Sequence, residues 1–173
     1  MQPPRTNRLT WSDHHMLLAL TTAQRSPDPN TQVGAIAVDN KNRIIATGYN
    51  GTARRIKPEL IDWSRTADDP YNTKYPFVAH AEENVVKNTP GHVDDLNDST
   101  IFCTMYPCNE CAKDLLQVGV RKVVYLTNPY EGTWSQRAAE KMFELAQVDV
   151  IQHKWDNPDV VKELLLNLLK LVE

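Results

Sequence analysis

Hydrophobic and polar positions change period several times along the chain. After Thr10, the residues Trp11, Met16, Leu17, Leu20 and Ala23 fall near helical spacing, with Thr10 or Ser12 as N-cap candidates. Pro27 and Pro29 prevent that helix from continuing. Two apolar runs, 33–38 and 43–49, flank the polar segment Asp39-Asn40-Lys41-Asn42 and predict a hairpin with a four-residue connection. From Gly51 to Pro76 the chain is polar and nearly aperiodic, which predicts a long functional loop with at most a short helical turn. Helical and strand-like segments then alternate: helix 79–87, loop 88–98, strand 100–105, helix 108–118 closed by Gly119, strand 122–126, helix 136–146 and strand 148–151. Pro158 opens a last helix running to residue 173. This alternation favours an α/β sheet with helices on its faces, in a single domain spanning 1–173.

The final helix carries Val160, Val161, Leu164, Leu165, Leu168, Leu169 and Val172 on one stripe, widened by Leu166 and Leu171. A helix this apolar needs more than one covering surface, so it is expected to pack on its own sheet and to contribute to an oligomer interface.

Composition narrows the classes. With 41% hydrophobic residues in 173 the chain can bury a core without cross-links. A net charge of -3 argues against coating a polynucleotide. No apolar run approaches the roughly 20 residues that span a bilayer, and MQPPRTNRLT has no apolar signal core. The expectation is a cytoplasmic protein with neither membrane nor polynucleotide partner.

The three cysteines, Cys103, Cys108 and Cys111, lie within nine positions. In a reducing compartment such clustering points to metal or catalysis. Cys108 and Cys111 stand one helical turn apart, at a helix N-terminus where the dipole favours thiolate. With His80 they make a set of one imidazole and two thiolates suited to zinc, and three ligands leave a fourth position for water. Zinc there would acidify that water, and Glu82, close to His80 and not a ligand, is placed to move protons.

Two other arrangements are weaker. A closed site with Cys103 as fourth ligand would need residues separated by five strand positions, roughly 16 Å, to share one metal; Cys103 more naturally fills the core. A thioredoxin-like pair would leave His80 and Glu82 unused. His14, His15, His92 and His153 read as surface or packing histidines.

The pattern His80-Ala81-Glu82 followed by Pro107-Cys108-Asn109-Glu110-Cys111 is the zinc-deaminase signature. Together with the blocks around Arg25–Ala35, Gly48-Tyr49-Asn50-Gly51 and Thr73-Lys74-Tyr75-Pro76, it resembles the cytidine deaminase superfamily, most closely its deoxycytidylate branch, from about Trp11 to Trp155. The resemblance implies a three-layer α/β/α sandwich around a mixed sheet of about five strands. It implies one catalytic Zn²⁺ per subunit on His80, Cys108 and Cys111, with Glu82 as proton shuttle, and hydrolysis of dCMP to dUMP and ammonia.

By the same resemblance Asn50 meets the deoxyribose, the Ala81 N–H and the Cys108 region hold the base, and Asn84 serves nucleotide binding. Tyr130 lies over the base or near the phosphate, and Arg25 is the phosphate candidate. Allosteric dCTP and dTTP with Mg²⁺, and a homohexamer, also follow from the family. The segment after Gly51, Thr52-Ala53-Arg54-Arg55, departs from the family's M-P-x-G. Asn30, Gly51, Arg54 and Arg55 are the effector candidates, though the two arginines are equally consistent with simple exposure. Competing readings are a same-fold deaminase of a nucleoside, dCTP or tRNA, and a non-enzymatic zinc-braced binding module.

Overall fold

The computed structural model describes residues 1–172. Five strands form one mixed sheet in the order β2-β1-β5-β6-β7, namely β1 Gly34–Val38, β2 Ile44–Tyr49, β5 Thr100–Met105, β6 Lys122–Thr127 and β7 Asp149–Gln152. β1 pairs antiparallel with β2 and β5, whereas β5, β6 and β7 run parallel. The apolar runs of β1 and β5 sit at the centre, where both faces are covered, and edge strand β7 is largely exposed.

The period of two along these strands sorts side chains between two cores. Ala35, Ala37, Ile101, Cys103 and Val123 point to the face covered by α2 Ala81–Asn88, α3 Asn109–Gln117 and α4 Trp134–Leu145. Ile36, Val38, Phe102 and Val124 point to the other, covered by α1 Trp11–Ala23 through Met16 and Ala19. The result is the expected three-layer α/β/α sandwich.

A glycine lets a helix approach each face. A Cβ on Gly34 would lie 2.1 Å from the Ala19 carbonyl oxygen of α1, and one on Gly48 would lie 2.2 Å from the Ala81 carbonyl oxygen of α2. Thr10 caps α1 by accepting from the Asp13 N–H at 3.2 Å, as expected of one of the two candidates.

Several expectations need correction. The helix predicted from Ala79 begins at Ala81, because Val78–Ala79 form a short strand, β4, against β3 Gly51–Thr52. The long segment is therefore tied at both ends, and residues 53–77 between them carry two single 3₁₀ turns, at Pro58–Leu60 and Pro70–Asn72. The helix predicted from Gln136 starts at Trp134, where Thr133 supplies the cap.

The last helix, α5 Pro158–Leu169, buries only Val160 and Val161 and leaves Leu165, Leu166, Leu168 and Leu169 exposed, as are Leu171 and Val172 just beyond it. The predicted stripe is thus buried only in its first turn. Glu173, the end of that predicted helix, lies outside the described residues. Among the described residues no helix is long and apolar enough to cross a membrane.

Candidate active site

A cavity of about 400 Å³ opens where the parallel strands end. Its floor and walls come from the start of β1 at Val33, the end of β5 at Met105-Tyr106-Pro107, the end of β6 at Asn128, and the first turn of α2. Ligand sites in open α/β sheets favour the carboxyl ends of strands near a change in strand direction, and here β5 is antiparallel to β1 and parallel to β6.

Two helix N-termini converge on this cavity. His80 is the N-cap of α2, Cys108 is the N-cap of α3, and Cys111 lies in the first turn of α3. The Glu83 carboxylate accepts from the His80 backbone N–H at 3.2 Å and fixes the α2 entry. The His80 Nδ1 atom lies 3.4 Å from the Cys108 Sγ and 3.3 Å from the Cys111 Sγ. All three donor atoms fall within 4.8 Å of one another. Tetrahedral zinc with ordinary Zn–N and Zn–S bonds sets adjacent nitrogen and sulfur about 3.6 Å apart, so the residues present fit that ion.

Charge within the trio supports the same conclusion. Hydrogen bonding from Cys111, followed by that from His80, draws Cys108 down to about 4 against the desolvating effect of burial. The bond to Cys108 pushes His80 up to about 9. Cys111 is raised well above a normal thiol, first by its bond to Cys108 and then by burial. Negative charge therefore gathers on the Cys108 sulfur at the N-terminus of α3, where a divalent cation would replace the shared protons.

Glu82 lines the same cavity and is 4% exposed. Burial raises its carboxyl above the usual range, opposed by the charge of His80. Burial, followed by the nearby Glu82 charge, keeps the Cys103 thiol protonated. Cys103 is fully buried in the core and is not part of the His80, Cys108, Cys111 group.

The remaining sequence candidates divide. Ala81, Asn50 and Tyr130 line the cavity. Both ends of the Asn50 amide are engaged by the 28–33 loop, since Oδ1 accepts from the Val33 N–H at 2.7 Å and Nδ2 donates to the Thr31 carbonyl at 2.9 Å. Arg25 and Asn84 are not in the lining. Arg25 is exposed just beyond α1, and Asn84 faces β2, donating to the Tyr49 carbonyl at 2.8 Å. The effector candidates Asn30, Gly51, Arg54 and Arg55 also lie outside it; Asn30 donates to the Trp63 carbonyl at 3.2 Å and Arg54 to Asn88 at 2.5 Å.

Sequence reasoning missed a buried ion pair on the cavity wall, Lys74 with Asp28. Asp28 Oδ1 also accepts the N–H groups of Asn30 and Thr31, at 2.9 and 3.2 Å. Its partner is 46 residues away, although Asp28-Pro29-Asn30 does signal a side-chain-capped turn. Asn128 was also missed: its Oδ1 is buried without a protein partner, on a residue lining the cavity.

Residues 9–127 match the family model described as the cytidine and deoxycytidylate deaminase zinc-binding region. Human deoxycytidylate deaminase is 38% identical over 144 residues, covering 83% of this chain and 80% of that protein. The probable deoxycytidylate deaminase of Drosophila melanogaster is 39% identical over 154 residues, covering 86% and 75%. The crystal structure of dCMP deaminase from the cyanophage S-TIM5 in complex with dCMP and dUMP is similar with a TM-score of 0.62 at 30% identity, over 81% of this chain and 94% of that one.

Proposed function

Because this chain belongs to the cytidine and deoxycytidylate deaminase family, we propose that it hydrolyses dCMP to dUMP and ammonia. The observation that carries this reading is the cavity in which His80 and Cys108, two members of the His80, Cys108, Cys111 trio, meet the buried Glu82 carboxyl. The names of the human and Drosophila relatives, and the dCMP and dUMP bound to the phage relative, support a cytosine nucleotide as substrate.

His80, Cys108 and Cys111 would hold a zinc ion, which when bound would supply the Lewis acidity that makes water nucleophilic near neutral pH. Glu82 takes a proton from the water that adds to C4 of the cytosine and delivers it to N3. It then carries a second proton to the amine, which leaves as ammonia while the C4 carbonyl forms. Burial raises the affinity of Glu82 for a proton, as an acid–base group working near neutrality requires. The Ala81 N–H, in the first turn of α2 with no helical carbonyl to bond, is a free donor for the base. Asn50 braces the loop against which the sugar would lie, and the exposed Tyr130 ring stands at the mouth.

The proposal extends to regulation and assembly. Asn30, Gly51, Arg54 and Arg55 lie outside the catalytic cavity, consistent with a separate effector site for dCTP or dTTP with Mg²⁺. The exposed leucines of α5 support association of subunits, for which the family resemblance suggests a hexamer.

Ammonia release by zinc-loaded protein offered dCMP, deoxycytidine, CMP and dCTP in parallel tests the reading, each with and without dCTP or dTTP plus Mg²⁺. Preferential turnover of dCMP, raised by dCTP and lowered by dTTP, is expected. Turnover of a different substrate would keep the zinc chemistry and reject dCMP. No turnover by zinc-loaded protein would reject the enzyme.

A further inference from the structure

The cavity lining is short of free cations. Among the described residues, Lys74 is the one lysine or arginine in the lining, and its ammonium is held by Asp28. That pair is closed on itself. Lys74 and Asp28 are both buried, and Asp28 Oδ2 also receives Asn50 Nδ2 at 3.4 Å while Oδ1 caps the loop. Moving Lys74 to a ligand would leave a buried carboxylate short of its counter-charge, which is costly. The lining therefore offers a monoester dianion no free positive charge except near His80. Arg25 does not reach it.

One arginine stands at the rim. Arg65, exposed on the 53–77 segment, donates from Nη2 to the Tyr130 hydroxyl at 3.3 Å, and the neighbouring Tyr75 and Tyr130 phenols favour its charged form. Tyr130 and Tyr75 both line the cavity, one from the loop after β6 and the other from the stretch just before β4. No carboxylate is bound to Arg65 among the described residues. An uncommitted guanidinium beside two phenols has the planar, multidentate donor set that suits a phosphate monoester.

We infer that Arg65, flanked by Tyr130 and Tyr75, is the group that binds the 5′-phosphate and so separates nucleotide from nucleoside, while Lys74 only braces the wall. This rests on the cytosine-nucleotide reading above. The Arg65–Tyr130 contact joins two segments 65 residues apart across the mouth, so phosphate binding there would also hold the two loops together.

The test compares Arg65→Ala, Arg65→Lys and Arg25→Ala with the wild type, each checked for zinc content. Arg65→Ala is expected to lower kcat/KM for dCMP about 10- to 100-fold, mainly through KM, while deoxycytidine changes less than about 2-fold. Arg65→Lys should recover part of the loss, because it restores charge and not the fork. Unchanged dCMP kinetics in Arg65→Ala, parallel losses on both substrates, or a selective loss in Arg25→Ala alone would overturn the inference. If the wild type turns over neither substrate, the parent reading fails by itself. Calorimetric titration with dUMP and deoxyuridine then decides the subsite. A dUMP preference that Arg65→Ala abolishes supports it, and the absence of any such preference, or its survival in Arg65→Ala, rejects it.

Discussion

The two faces of the sheet both bury ionisable side chains, with opposite consequences. On the face of α2 and α3, Glu82, His80 and Cys108 border a cavity, with Cys111 behind them in the same trio. On the face of α1, Asp13, His15 and His153 are buried among packed side chains and line no described cavity. There Ser12 Oγ lies 3.2 Å from His153 Nδ1, and His153 Nε2 lies 3.3 Å from Asp13 Oδ1. Asp13 Oδ1 accepts the Asp156 N–H at 3.2 Å, so this cluster ties α1 to the segment after β7. Asp13 Oδ2, His15 Nδ1 and His153 Nε2 have no hydrogen-bond partner. A Ser–His–Asp grouping is thus no sign of catalysis when no substrate can reach it. The same kinds of group become chemistry where a wall of the cavity exposes their donor atoms.

Four experiments would break or sharpen that contrast. The largest effect belongs to the metal ligands. Cys108→Ser or Cys111→Ser should abolish zinc binding, read by metal analysis, and reduce ammonia release to background, while Cys103→Ser, in the core, should keep its zinc.

Glu82→Gln should retain zinc and lose turnover by about 10²- to 10⁴-fold, the usual worth of a placed proton-transfer group. A zinc-loaded variant with wild-type kcat would remove Glu82 from the mechanism.

The two glycines make a matched pair. Gly34→Ala and Gly48→Ala both insert a Cβ against helix backbone, and each should cost about 1–3 kcal/mol in urea denaturation, the usual range for overpacking. Only Gly48→Ala pushes on the turn that carries His80 and Glu82, so only it should also lower zinc affinity and kcat/KM per folded molecule. Equal effects of both on kcat/KM would mean that the faces are not functionally separate.

The smallest effect is on acid stability. Burial lowers the proton affinity of both His15 and His153 below the ordinary 6.5. The unfolded chain then binds more protons below about pH 6.5, so stability should be full above that value and fall as pH drops through the lowered folded-state values. Urea midpoints at pH 7.5 and 5.5 with saturating zinc should show the fall, and His153→Gln should reduce it. A midpoint independent of pH would show that the sealed histidines do not contribute.

Much of this was legible in one dimension because its geometry is local. Cys108 and Cys111 share a face by being one helical turn apart, Pro107 and the polar caps mark helix entries, and the alternation along β1, β5 and β6 assigns the core faces. Elements of the 79–98 and 134–146 regions shifted by about two residues because cross-strand pairing and capping set their ends. Asn84 and Asn50 illustrate a different limit. Their positions in motifs say that they matter, but only the fold shows their amides bonded to backbone at Tyr49, Thr31 and Val33.

By itself, then, the sequence determined the α/β alternation, the Cys108–Cys111 spacing and the Glu82 carboxylate beside His80, since each depends on residues close to one another along the chain. Only the tertiary structure decided which cation is neutralised and which is free. Asp28 and Lys74, or Arg65 and Tyr130, meet across tens of residues, and no period or local propensity records such a meeting. The exposed leucines of α5 follow the same rule, because a helix pattern specifies that a face is apolar and not what surface remains to cover it.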